Sequence, residues 1–277
     1  MPELPEVETT VNGLNILIGL KVYKVKIHTK KLRYIIPKSI INIQKDSKIT
    51  NIQRIAKYIL IHFSSNFSIV IHLGMSGRLK IQSELKKRNK HDHFVIYFEN
   101  SKILVLNDPR KFGFIDFSFT SELKNKKYLS KLGLDPFEKK LNKNYLLKKF
   151  NNSKSSIKQL LLNQQIITGI GNIYACEILY DAKISPFIPG NQLDIQKISR
   201  LIRSMKKILQ KAISSGGTTI KNYASIDGTL GNFQNNFKVY NKKDKKISKF
   251  KIKCIKQSGR STFFCPALQK SKYNPIS

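Results

Sequence analysis

The chain has 277 residues and carries 51 Lys and Arg against 17 Asp and Glu, a formal charge of +34. That length buries real cores and favours two domains or one large one, while three cysteines, at 176, 254 and 265, do not make a disulfide framework. No apolar run reaches the roughly 20 residues of a membrane span, and the N-terminus lacks the basic, apolar and small-residue segments of a signal peptide, so a cytoplasmic protein is expected.

So large a positive surplus repels itself in a compact chain and calls for a polyanionic partner. The lysines are spread over the full length, so a basic tail does not account for them. Nucleic acid is the default partner, with phosphate contacts supplying salt-sensitive affinity. An anionic membrane surface is the competitor, and nucleotide bias towards Lys, Ile and Asn codons discounts the charge argument somewhat.

The chain opens on Met1-Pro-Glu-Leu-Pro-Glu-Val-Glu8. Residues 5–17 read as a helix: Pro5 suits the first turn, early glutamates complement the dipole, and Val7, Val11 and Leu14 share a face. The same stretch has a second reading. Removal of Met1 exposes Pro2 as a secondary amine, and amines attack aldehyde-like carbons to form Schiff bases. From about residue 21 to 119 the pattern turns to short strands. Tyr23, Val25 and Ile27 alternate with lysines, and further runs cover Ile55–Phe63, Phe67–Leu73, His93–Phe98, Ile103–Leu106 and Phe112–Phe117. This spacing predicts a β-sandwich or barrel. Lys57 falls at the head of one strand and reads, by itself, as one solvated lysine among many. Two unusual loops follow, Leu73-Gly-Met-Ser-Gly77 and Asn107-Asp-Pro-Arg-Lys-Phe-Gly113. Met75, Arg110 and Phe112 at their tips either pack locally or wedge into a base stack.

Ser121–Leu132 predicts a helix ending at Gly133, which marks a domain boundary. Helices follow at Leu146–Phe150, after a cap at Ser155 or Ser156, at Ile173–Tyr180, and from Ile195 to about Ile213. Gly169-Ile-Gly-Asn172 precedes the third of these. Its amides and the Asn172 side chain suit a phosphate, although an ordinary tight turn reads the same way. Residues 238–277 form a last unit with twelve Lys or Arg and one acid, Asp244. His72, His91 and His93 show no metal-binding spacing.

Taken together, Pro2-Glu-Leu-Pro-Glu-Val-Glu-Thr9, the Lys57 segment, His72-Leu-Gly-Met-Ser-Gly77, Asp108-Pro-Arg-Lys-Phe-Gly113, Gly171-Asn-Ile-Tyr-Ala175, Gly216-Gly-Thr-Thr219 and Gly259-Arg-Ser-Thr-Phe-Phe-Cys265 resemble bacterial formamidopyrimidine-DNA glycosylases. The resemblance covers essentially the entire chain, with the motifs in the family's order. It implies an α+β fold: an N-terminal β-sandwich with its first helix (1–133), a helix–two-turn–helix domain (134–237) and a β-hairpin finger (238–277). It also implies a monomer that acts on double-stranded DNA carrying oxidised purines or abasic sites, as glycosylase and abasic-site lyase, without a membrane partner. Pro2 matches the nucleophile and Glu3 the acid/base group, with Glu6 in support. Lys57 matches a phosphate-contacting lysine that assists catalysis. Arg260 matches a catalytic phosphate clamp, and His91, Arg110 and Asn172 further DNA contacts. Met75, Arg110 and Phe112 match the residues that fill the gap left by the flipped base. Thr218, Thr219 and Tyr223 fall in the loop over the extruded purine.

The finger departs from the family. Of the four zinc cysteines only Cys265 has a counterpart: Leu268 breaks the second pair, and Ile247 and Phe250 stand where the first should be. No zinc and no other cofactor is therefore expected, with Ile247, Phe250, Phe263, Phe264 and Leu268 packing in place of metal. The sister class acting on oxidised pyrimidines and a non-catalytic binder of damaged DNA are the alternatives; a general RNA-binding protein is a third.

Overall fold

The computed structural model describes residues 1–43, 47–83, 89–218 and 231–275. The chain forms two compact units: Met1–Ser130 with Ser215–Gln234, and Lys131–Ser214 with Asn235–Ser277. The sequence suggests divisions after residues 133 and 237. In the structure the finger groups with the helices, and a late segment returns to the first unit.

The first unit begins with helix α1 (Leu4–Leu14). Glu3 caps it in a reciprocal box with Glu6, and a short 3-10 turn, Asn15–Leu17, continues it. Eight strands follow: β1 (Val22–Ile27), β2 (Ile49–Ile55), β3 (Tyr58–Phe63), β4 (Phe67–His72), β5 (Arg78–Gln82), β6 (Asp92–Phe98), β7 (Ile103–Asn107) and β8 (Phe114–Phe119). They make two antiparallel sheets, ordered β1-β6-β7-β5 and β2-β3-β4-β8. Alternate residues of both, among them Ile59, Ile61, Ile69, Ile71, Phe94, Ile96, Leu104 and Leu106, join one buried core with Val7, Val11 and Leu14 of α1. This is the sandwich geometry in which two inner faces interdigitate. Helix α1 packs against β2 and β3, and the Arg54 guanidinium ties it to β2 through Glu8.

Three local expectations are corrected. The run Ile55–Phe63 is not one strand: Ala56 turns left-handed at φ 55°, so β2 and β3 form a tight hairpin, with Ile55 opposite Tyr58. Lys57 lies in that turn and not on a strand. Segments Ile49–Arg54 and Arg78–Gln82 pair as strands although their polar residues hide the alternation. Ser121–Leu132 is not one helix. A 3-10 turn spans Thr120–Asn125, Lys126 is extended at φ −64° and ψ 124°, and only Lys127–Ser130 (α2) is α-helical. The break coincides with two ties to β8: Lys126 and the Tyr128 hydroxyl both bind Asp116.

The second unit holds α3 (Lys143–Phe150), α4 (Ile157–Leu162), α5 (Asn172–Asp181) and α6 (Ile195–Ser214). Ser156 caps α4 in a box with Gln159. Helix α6 buries Ile198, Leu201, Met205, Leu209 and Ala212 on one stripe, the amphipathic pattern its sequence predicts, and packs on α3 and α5. The chain ends in two small antiparallel ladders. One pairs β9 (Lys246–Ile247) with β10 (Phe250–Lys251), and the other pairs β11 (Lys253–Gln257) with β12 (Arg260–Phe264). The fold is α+β: a sandwich with an N-terminal helix, a helix–two-turn–helix domain and a C-terminal hairpin. Among the described residues no helix is long and apolar enough to cross a membrane.

Candidate functional site

The start of α1 is organised by one carboxylate. Glu6, 2% exposed, accepts the Glu3 backbone N–H at 2.9 Å on Oε2. Its other oxygen, Oε1, accepts the Thr218 N–H at 2.8 Å. Residues 212 positions apart are thereby joined. Gly217 permits the approach: it is left-handed at φ 75°, and a Cβ there would meet the Glu6 backbone and side chain at 3.3 Å. Pro2 and Glu3 are buried at this junction, while Met1 is 52% exposed. Glu3, the residue after Pro2, accepts the Glu6 N–H as its part of the box. Thr218, at the end of the Gly216-Gly-Thr stretch, is thus held at the helix start. Thr219 and Tyr223 lie outside the described residues.

Lys57 is 8% exposed, so it is no ordinary solvated lysine. The guanidinium of Arg54, held by Glu8, donates to the carbonyl of Ala56 at 3.2 Å and steadies the turn that carries Lys57. Next along the hairpin, Tyr58 stands opposite His72. Burial, with the charges of Lys57 and Arg33 adding to it, pushes the His72 imidazole down to about 4. It is neutral at physiological pH, and its Nδ1 accepts the Gly74 N–H at 3.0 Å, which leaves the proton on Nε2. His72, Tyr58, Tyr34, Phe114 and Tyr128 line a cavity of about 500 Å³, which no sequence motif signals.

Met75 (42% exposed) and Phe112 (44% exposed) project from neighbouring loops, and the Arg110 guanidinium lies 4.6 Å over the Phe112 ring. Large exposed side chains on braced loops are not filling a core. His91 belongs to the same cluster, its carbonyl accepting the Asp108 N–H at 3.0 Å.

In the second unit Asn172 is the first residue of α5, preceded by the cap Gly171. Its amide donates to the carbonyl of Ser261 at 3.0 Å, next to the exposed Arg260 on β12. The same carbonyl accepts from Lys158 at 3.0 Å, and Lys158 also donates to the Thr262 hydroxyl at 2.7 Å. Lys158 is 1% exposed. Among the dozens of lysines in the sequence it carries no local signal.

A four-thiolate zinc site does not fit the finger residues. Cys265 is buried after β12 with its N–H held by Gln269 at 2.8 Å, and Cys254 sits in the ladder opposite Phe263. Among the described residues no three His, Cys, Asp or Glu side chains converge as metal ligands. The packing there differs from the sequence-based expectation. Phe263 joins Val239, Ile252 and Cys176, with Ile247 against them, whereas Phe264 meets Phe187 edge-on at 5.1 Å. Phe250 and Leu268 are only half-buried.

Residues 1–115 match the formamidopyrimidine-DNA glycosylase N-terminal domain, and residues 132–224 match the H2TH domain of the same family. A formamidopyrimidine-DNA glycosylase of Zymomonas mobilis is 44% identical over 272 residues, covering 98% of this chain and 100% of its own. One from Rickettsia conorii is 41% identical over 275 residues, with the same coverage. Among solved structures, a Lactococcus lactis FPG mutant in complex with Fapy-dG-containing DNA superposes with a TM-score of 0.89 at 33% identity, over 98% of this chain and all of that one. The Lactococcus lactis protein bound to abasic-site DNA superposes equally well over 97% of this chain.

Proposed function

The chain belongs to the formamidopyrimidine-DNA glycosylase family and is a DNA repair glycosylase, and from that premise we propose that it excises oxidised purines from duplex DNA and then cleaves the abasic strand. The observation that carries this reading is the Glu6 carboxylate. It binds the start of α1, beside Pro2 and Glu3, to the base of the glycine-rich loop. A nucleophile, an acid/base group and a loop that covers a base are thus linked in one unit.

After removal of Met1, the Pro2 nitrogen attacks C1′ of the damaged nucleotide. The glycosidic bond breaks as the base leaves with its electron pair, and Glu3 supplies and removes the protons. Loss of the proton on nitrogen and ring opening give an iminium. Removal of a C2′ proton then expels the 3′ phosphate, and a second elimination expels the 5′ phosphate. Lys57 balances phosphate charge near this chemistry. Met75, Arg110 and Phe112 fill the space left by the extruded nucleotide, with His91 as a further DNA contact. Asn172 and Arg260 supply a second pair of phosphate contacts. Thr218, Thr219 and Tyr223 belong to the loop that covers the base. The finger works without zinc, and no cofactor takes part.

Borohydride reduction on an 8-oxoguanine duplex should trap a covalent adduct whose mass spectrum maps to Pro2. Pro2→Gly should lose that adduct, with Lys57→Ala retaining it. The reverse pattern, or no adduct at any pH, overturns the mechanism. A Lactococcus lactis FPG complex with DNA containing an oxidised pyrimidine supports a second lesion class, read by comparing rates on 8-oxoguanine and thymine-glycol duplexes.

A further inference from the structure

Asp108 has no part in the chemistry above, yet its side chain is completely buried directly beneath the two exposed loop tips. A carboxylate taken out of water must recover its hydrogen bonds from the protein. Here Oδ1 accepts the Ser76 hydroxyl at 2.5 Å and the Arg110 N–H at 3.3 Å, while Oδ2 accepts the Gly113 N–H at 2.8 Å. The Arg110 N–H also reaches the Ser76 hydroxyl at 3.2 Å. The Asp108 backbone is held as well: its N–H donates to His91, and its carbonyl lies 2.9 Å from Nε2 of His93.

These partners come from both loops. Ser76 follows Met75, and Arg110 and Gly113 bracket Phe112. The loops also touch backbone to backbone, since a Cβ on Gly74 would lie 2.3 Å from the carbonyl carbon of Phe112. Lys111, between the two exposed side chains, is held left-handed at φ 55°. Charge-assisted bonds of this kind are shorter and stronger than neutral ones, and a cluster with shared donors stiffens as a whole.

We propose that Asp108 is a positioning residue that welds the Met75 loop and the Arg110/Phe112 loop into one preformed wedge. The three side chains then enter a base stack as a single rigid body. Two separate loops would have to lose backbone freedom at the moment of insertion; a welded pair has lost it on folding. Asp108 touches neither lesion nor sugar. It acts only on the step that extrudes a stacked base. This rests on the proposed glycosylase reading, and the test keeps the two apart.

Single-turnover rates are measured for wild type and Asp108→Asn on matched duplexes carrying either 8-oxoguanine or a preformed abasic site. Asparagine has one acceptor oxygen where the carboxylate has two, so one backbone N–H, that of Arg110 or that of Gly113, is left facing an amide N–H. Asp108→Asn should slow release of the stacked lesion at least ten-fold while changing cleavage of the abasic site less than two-fold. A 2-aminopurine beside the lesion should show correspondingly less unstacking. Ser76→Ala, a milder cut of the same brace that leaves the carboxylate in place, should shift the ratio in the same direction and serves if the asparagine variant fails to fold. Equal loss on both substrates, or no loss on either, overturns the role of Asp108. Failure of wild type to trap an adduct on the abasic duplex would instead overturn the proposed Schiff-base mechanism itself.

Discussion

Glu6 does at the residue scale what no local motif expresses: one side chain serves a donor three residues away and another 212 positions away. The histidines of the same unit make its stability sensitive to pH. Burial lowers His62, His72 and His93 below the ordinary imidazole value of 6.5, with Lys57 and Arg33 adding to the effect at His72 and the Asp108 carbonyl opposing it at His93. At these three side chains the unfolded chain therefore binds more protons than the folded one as pH falls below 6.5. Stability is fully present above that value and falls as pH drops through 6.5 towards about 4. For His72 alone the loss is about 3 kcal/mol at most. Thermal unfolding between pH 7.5 and 5 should show this slope, and His72→Gln should flatten it. An unchanged slope in that variant would remove His72 from the account.

At the scale of elements two buried side chains fasten the finger to the helices. The Glu177 carboxylate on α5 accepts three successive backbone N–H groups, from Lys238, Val239 and Tyr240, at 2.8–2.9 Å. Lys158 on α4 holds the far strand at Ser261 and Thr262. Both anchors are buried, where removing one partner strands the other. Purified protein should contain well under about 0.1 zinc per chain, set against the four ligands a structural site needs, and a chelator should leave DNA cleavage unchanged. One tightly bound zinc per chain would refute the zinc-free finger. Helices α1, α3, α4, α5 and α6 are legible in the sequence because caps and 3.6-residue periodicity are local. Strand β5 and the split at Ala56 were not: polar residues masked the alternation in one, and a left-handed alanine has no composition signal. Pro2, Met75, Arg110 and Phe112 stood out by motif. Their supports, Glu6 to Thr218 and Asp108 to Ser76, are long-range contacts that only folding creates.

For the whole molecule the dominant quantity is charge. A surplus of +34 attracts duplex DNA of any sequence, and each neutralised phosphate contributes about −0.9 to the slope of log affinity against log salt. On the proposed reading, binding to undamaged duplex should follow a slope steeper than about −4, measurable by fluorescence anisotropy between 50 and 300 mM salt as an estimated working range. A slope near zero would show that the lysines serve some purpose other than phosphate contact.

The first unit is also discontinuous, since Ser215–Gln234 rejoins Met1–Ser130. A ribosome that has finished strand β8 at Phe119 has released the whole sandwich, but Thr218, the partner of Glu6, emerges about 100 residues later, on the order of 5–20 s at ordinary elongation rates. During that interval the nascent helix start lacks its Thr218 latch. On the proposed reading, an aminopeptidase that removes Met1 from the growing chain would meet the terminus before Thr218 is bound to the helix start.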